Sequence, residues 1–163
     1  MPFTIVHQDI SQIKVDAIVN AANTELKMGG GVCGVIFKKA GAEKLQAACD
    51  RLAPIKTGEA VITPAFDLAA KYIIHAAGPI YKNYDKGQSE KLLRLTYTNS
   101  LKLALENRCE SIAFPLISSG IYGYPKEEAL RVAISAIKDF LIDHDLYVIL
   151  TIFDKTAFSI SQQ

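Results

Sequence analysis

Six short stretches of the chain are apolar on successive or alternating positions and end in polar residues or glycine: Phe3–Val6, Ala17–Ala22, Ala60–Ala65, Tyr72–Gly78, Ser111–Ile117 and Tyr147–Phe153. β-Branched and aromatic side chains recur in them, the pattern of strands. Several have no polar alternate positions, which predicts strands covered on both faces. Elsewhere the apolar positions recur at three and four residues. Ser89–Glu106 sets Leu92, Leu93, Thr96, Leu101, Ala104 and Leu105 near one stripe. Pro125–Asp143 does the same with Ala129, Ala133, Ile134, Ile137, Phe140 and Leu141. Val32–Ala40 and Ala42–Leu52, divided by Gly41, complete four predicted helices. Pro125 suits a first helical turn, where its missing N–H needs no partner. The polar stretch Tyr81–Glu90 is predicted to be a surface loop.

Strands alternating with helices predict a layered α/β domain around a mostly parallel, buried sheet. Right-handed crossovers then gather the loops that follow strand C-termini along one edge, where such sheets bind ligands. Asn20–Cys33 and Ser118–Tyr124 both follow strands and are expected to meet there. The 163 residues carry no repeat, low-complexity tract or linker, so one domain over residues 1–163 is expected.

Composition narrows the classes. Half the residues are hydrophobic and 21% are charged, as in a soluble globular chain. No apolar run approaches the roughly 20 residues that cross a bilayer. The start, "MPFTIVHQDI", lacks a basic segment followed by a long apolar core, so no secretory signal is expected and the cytoplasm is the expected location. The net charge of +1 and the lack of a dense Lys/Arg block argue against nucleic acid as a partner. Three cysteines, Cys33, Cys49 and Cys109, make no disulfide framework and fit a reducing compartment. His7, His75 and His144 stand far apart, and no metal site is expected.

Two loops carry candidate chemistry. In "MGGGVCG", Gly29–Gly31 lead into a predicted helix, whose N-terminal amides and dipole favour an anion. The loop has neither the glycine spacing of a dinucleotide fingerprint nor the Gly-Lys-Ser/Thr ending of a P-loop. In "SSGIYGYP", Ser118–Pro125, a strand again passes through glycines into a helix. Either loop alone reads as an ordinary connection. Two of them on one sheet edge can clamp a diphosphate from both sides.

The motifs "VDAIVNAAN", "GGGV", "YIIHAAGPIY" and "ISSGIYGYPKEEA", in that order and spread from Gln8 to about Phe158, resemble the macrodomain family and its MacroD-type hydrolase branch. The resemblance implies a three-layer α/β/α macrodomain fold with a mixed six-stranded central sheet, and a pocket for ADP-ribose. It places adenine recognition on the Asp9 carboxylate and the Ile10 N–H, with Phe153 packing on the base. The distal ribose falls to Asn23, with Asn20 bracing the loop from within. Gly29, Gly30, Gly31 and Val32 form the first phosphate loop. Ser118, Ser119, Gly120, Ile121, Tyr122 and Gly123 form the second, Ile121 and Tyr122 also walling the ribose. His75, inside an apolar strand, is expected to be a hydrogen-bonded structural residue.

The chain departs from the branch pattern at two positions. An aspartate usually follows "GGGV" where Cys33 stands, and a histidine usually stands at Phe37, four residues on and on the same helix face. The expected activity is hydrolysis of ester-linked ADP-ribose, from acidic side chains of mono-ADP-ribosylated protein or as deacetylation of O-acetyl-ADP-ribose. No cofactor is implied. Asn23, Gly31 and Cys33 are the catalytic candidates, Cys33 either as a thiol in an electropositive loop or as a small residue filling space. With both polar groups missing, the alternative is a non-catalytic reader of ADP-ribose.

Overall fold

The computed structural model describes residues 2–162. Its strands are β1 (Phe3–Val6), β2 (Ala17–Ala22), β3 (Ala60–Pro64), β4 (Tyr72–Ala77), β5 (Ser111–Phe114) and β6 (Tyr147–Thr151). Its helices are α1 (Gly31–Ala40), α2 (Ala42–Asp50), α3 (Lys86–Glu106), α4 (Lys126–Asp143) and α5 (Lys155–Ser161). The strands form one mixed six-stranded sheet in the order β1-β6-β5-β2-β4-β3. β3 runs antiparallel to β4, and the other pairs are parallel.

Both faces of the sheet are covered because alternate side chains of the same strand enter two cores. Ala17 and Val19 of β2, with Ile74 of β4 and Phe114 of β5, pack against Leu93, Tyr97 and Leu101 of α3 and Ala133 and Ile137 of α4. Ile18, Ile73 and Ala113 face the other way, against Ile36 and Phe37 of α1 and Leu45 and Cys49 of α2. The result is the three-layer α/β/α arrangement. Tyr97, fully buried, also ties the layers by hydrogen bonds. Its hydroxyl donates to the Pro115 carbonyl at 3.1 Å and accepts from the Ile117 N–H at 3.0 Å.

Several boundaries differ from the pattern-based expectation. β5 stops at Phe114 rather than Ile117, because Pro115 has no N–H for the ladder. β6 stops at Thr151, so Phe153 lies beyond the strand. β3 and β4 each end one residue early, and α2 ends at Asp50. The expected loop Tyr81–Glu90 is helical from Lys86 onward. Asp85 caps α3 by accepting from the Gln88 N–H at 2.8 Å, which supplies the start that the apolar stripe alone does not mark. Pro125 is the residue before α4, extended at φ −56° and ψ 130°, rather than in its first turn. α5 has no counterpart in the expectation. It is short, and Asp154 caps it through the Ala157 N–H at 2.8 Å.

The topology opens the binding edge. β2 pairs with β5 only through Ala17–Ile112 and Ile18–Ala113, whereas its pairing with β4 continues to Ala22. Beyond Ile18 the two central strands part. The chain after β2 turns to α1 on one face, while the chain after β5 leads to α4 on the other. Loops from both sides therefore border a gap at the strand C-termini, as expected at a topological switch point.

Candidate ligand-binding site

That gap is a cleft of about 770 Å³. The expected site residues Asp9, Ile10, Asn23, Gly29, Gly30, Gly31, Val32 and Cys33 line it. So do Ser118, Ser119, Gly120, Ile121, Tyr122 and Phe153. Gly123 is the exception. It stands just outside, at φ +76°, with its N–H bonded to the Gly120 carbonyl at 3.0 Å, so it closes the turn and does not face the cleft.

The first loop enters α1 through Gly30, which makes no side-chain cap, and Gly31, whose φ of +56° is left-handed. A helix start leaves its first N–H groups without intrahelical partners. Here the residues that carry them, Gly31, Val32 and Cys33, line the cleft. Gly34, one turn later, is pressed against the loop: a Cβ there would sit 2.7 Å from the Gly29 carbonyl oxygen. The second loop is folded on itself by the Tyr124 N–H to Ser118 carbonyl bond at 2.9 Å and by the Tyr81 N–H to Tyr122 carbonyl bond at 2.9 Å. Ser118 adopts φ +68° and is buried, with its hydroxyl unpaired among the described residues. Strain of this kind persists only where the surroundings hold it.

Gly78, a residue with no site role expected from the sequence, explains what holds it. It follows β4 and lines the cleft, and a Cβ there would overlap Ile117 Cγ2 and Ser118 Oγ. The "AAGP" glycine is thus the contact surface on which the second loop rests. Gly78→Ala is expected to cost about 1–3 kcal/mol by overpacking. Urea denaturation measures this directly, and a variant as stable as the natural chain would show that the loop yields freely.

At one end of the cleft Asp9 caps a single 3-10 turn at Ile10–Gln12. Its Oδ1 accepts from the Ser11 N–H at 2.9 Å and the Ser11 hydroxyl at 2.8 Å. Its Oδ2 lies 3.7 Å from Lys39 Nζ of α1. Burial alone would raise this carboxyl, but the two Ser11 bonds and Lys39 outweigh it and bring it below the ordinary value. Phe153 is 74% exposed. It is not part of the core, and its ring is free to cover a ligand. Lys126 and Asp154 also border the cleft, with Nζ and Oδ2 3.7 Å apart. Neither was legible as a site residue, because only the fold brings the starts of α4 and α5 together.

At the other end the Asn23 amide is engaged within its own loop. Its Nδ2 donates to the Lys27 carbonyl at 2.9 Å, and its Oδ1 accepts from the Lys27 N–H at 3.0 Å. Asn23 therefore shapes the loop, with one N–H left to offer a ligand. Beneath lies a buried polar chain. Thr63 Oγ1 bonds the Pro64 carbonyl at 3.0 Å and stands 3.0 Å from His75 Nε2. His75 Nδ1 is 3.2 Å from Asn20 Nδ2, which also donates to Cys33 Sγ at 3.6 Å. Asn20 thus ties β2 to the helix behind the glycine loop. Burial holds the His75 imidazole down at about 4, so it is neutral. Burial likewise lifts the Cys49 thiol to about 11, with Cys33 and Asp50 adding to the effect.

Cys33 is 8% exposed, and its thiol points toward the Lys27 carbonyl at 3.9 Å. Phe37 is 1% exposed and meets the His75 ring edge-on at 6.3 Å. Phe37 is a core residue and does not reach the cleft. Neither position supplies a carboxylate or an imidazole. Among the described residues no three His, Cys, Asp or Glu side chains converge as metal ligands would. No helix among them is long and apolar enough to cross a membrane.

Comparison with known proteins supports the same assignment. Residues 19–133 match the family model described as the Macro domain. A macro domain-containing protein of Chlorobaculum tepidum is 51% identical over 135 residues, 83% of this chain and 77% of that protein. The ADP-ribose glycohydrolase MACROD2 of Xenopus laevis is 50% identical over 133 residues, 82% of this chain; the match spans 32% of that longer protein. Among solved structures, the Oceanobacillus iheyensis macrodomain with ADP superposes with a TM-score of 0.91 at 40% identity, covering 97% of this chain and 86% of the other. The Trypanosoma brucei macrodomain in complex with ADP-ribose gives 0.87 at 33% identity, covering 97% and 66%. By its sequence, its sheet order and the cleft between its two glycine loops, this chain belongs to the macro domain family.

Proposed function

We propose that the cleft binds ADP-ribose and that the protein hydrolyses ester-linked ADP-ribose, from acidic side chains of modified proteins or from an acetyl group. The observation that carries the binding reading is the convergence of two amide-bearing loops, one a helix start, between an acidic end at Asp9 and a polar end at Asn23. The loops suit a diphosphate, which needs N–H donors rather than a basic surface. Asp9 accepts from the adenine amine, Phe153 covers the base, and Asn23 steadies the distal ribose. The ADP and ADP-ribose bound by the related macrodomains, and the glycohydrolase activity in the name of MACROD2, support this.

In the hydrolytic step water adds across the ester, giving the free carboxylic acid and ADP-ribose. No side chain at Cys33 or Phe37 serves as a general base. The ligand's own phosphate takes the water's proton, and the protein contributes positioning, which can supply a large part of a rate enhancement. Cys33 fills space and links α1 to Asn20 and Lys27. Cys33→Ala is accordingly expected to keep turnover within about tenfold, or roughly 1.4 kcal/mol of barrier. Loss of turnover with binding intact would make the thiol a catalyst.

The second reading is a module that binds ADP-ribose without cutting it. The apolar character of Phe37 and the capped thiol of Cys33 favour it. Incubation with mono-ADP-ribosylated protein, with detection of released ADP-ribose, separates the two. Release supports the hydrolase; tight binding without release on any ester linkage supports the reader.

A further inference from the structure

The polar chain at the Asp9 end extends further than recognition by one carboxylate requires. Lys39, on α1, donates from Nζ to Ser11 Oγ at 2.9 Å. The Ser11 hydroxyl in turn donates to Asp9 Oδ1 at 2.8 Å, and the Ser11 N–H donates to the same oxygen at 2.9 Å. Both of these bonds fall on Oδ1. Oδ2 has the ammonium of Lys39 at 3.7 Å, close enough for attraction but beyond hydrogen-bond length. The carboxylate is therefore held by one oxygen while the other remains an acceptor at the cleft wall.

We infer that Lys39 and Ser11 are positioning residues for base selectivity, orienting Asp9 so that a ligand base must present an N–H donor to Oδ2. An exocyclic amine meets that demand. A ring carbonyl in the same place, as in a hypoxanthine base, meets a carboxylate oxygen and is repelled. The proposal rests on the ADP-ribose reading of the cleft and adds to it a mechanism of discrimination that begins on a different helix. Lys39 is the only charged group that contributes to the Asp9 titration among the described residues. Ionised Asp9 is needed to accept, and Lys39 favours that form, so removing Lys39 lets the carboxyl protonate at higher pH. Affinity for the amine-bearing ligand should then begin to fall at a higher pH than in the natural chain.

Calorimetry with ADP-ribose and with its hypoxanthine counterpart tests this on the intact protein. The natural chain should favour ADP-ribose. Ser11→Ala should weaken ADP-ribose up to about tenfold, because an Asp9 no longer fixed by the hydroxyl must lose its freedom on binding. It should leave the hypoxanthine ligand nearly unchanged, so the preference narrows. Ser11→Thr, which keeps the hydroxyl, should restore it. Lys39→Ala should narrow it about threefold, the modest effect of a half-exposed charge, and shift the acid limb of ADP-ribose binding to higher pH. Lys39→Arg should recover part of both. Equal weakening of the two ligands by either variant would mark a merely structural role and overturn the proposal. An unchanged preference and pH limb in both variants would overturn it as well. Failure of the natural chain to bind ADP-ribose would overturn the functional reading itself, an outcome visible before any variant is made.

Discussion

Gly31→Glu is expected to abolish ADP-ribose binding while the protein remains folded. Gly31 is the first residue of α1 and sits at φ +56°, where a side chain costs about 1–2 kcal/mol. A Cβ there meets nothing within 4 Å, so no packing is lost and the fold should survive. The added carboxylate stands beside the free N–H groups that would hold the diphosphate. Two unit charges about 4 Å apart repel by roughly 4 kcal/mol in a partly screened protein environment. That repulsion alone is roughly a thousandfold in affinity, whereas the strain is carried by the free and the bound protein alike and lowers stability instead. Gly31→Ala isolates the strain: it should lower stability by about 1–2 kcal/mol and leave affinity within about tenfold. Calorimetry gives the affinities, and circular dichroism with thermal melting checks the fold. A folded Gly31→Glu protein that still binds ADP-ribose would place the diphosphate elsewhere.

Acid sensitivity through His75 is the second large effect. The imidazole is fully buried between β2, β3 and α1, and burial holds it at about 4. An unfolded histidine titrates near 6.5. Between those values the unfolded chain binds the proton and the folded chain does not, so stability is lost as pH falls through this window. Below about pH 4 the loss totals roughly 3 kcal/mol. That is a large share of the roughly 5–15 kcal/mol by which domains are stable. Urea unfolding at pH 7, 5.5 and 4.5 measures it against His75→Gln. The variant should be weaker at pH 7, because Asn20 and Thr63 lose an aromatic partner that fits them. Its stability should fall less steeply with acid, so the two curves converge. Carboxylates shared by both proteins cancel in the difference. Parallel curves would show that His75 takes up its proton without unfolding.

The two effects meet at one structural point. The chain Thr63–His75–Asn20–Cys33 runs from β3 through the sheet to the helix that presents the glycine loop. Protonated His75 cannot accept from Asn20 Nδ2. Acid therefore loosens the support of α1 as well as the core.

The apolar pattern of the sequence was enough to locate the six strands and four of the helices, because burial on both faces or on one stripe leaves a periodic mark. β1 and β2 begin and end where the pattern does. Glycines before two helix starts pointed to the loops at the cleft. Where the pattern is silent, capping decides: Asp85 and Asp154 start α3 and α5 by local hydrogen bonds that leave no hydrophobic trace. Three things only the tertiary structure settled. Asn23 turns its amide to Lys27, a choice of partner that residue type does not reveal. His75 finds Asn20 and Thr63 because the register sets Asn20 opposite it on β2 and brings β3 alongside. Lys39 reaches Ser11 across 28 residues because α1 packs against the turn after β1. Periodicity is written along the chain by the geometry of each element, whereas hydrogen-bond partners and the second neighbours of a charge depend on which elements the fold brings within about 3 Å.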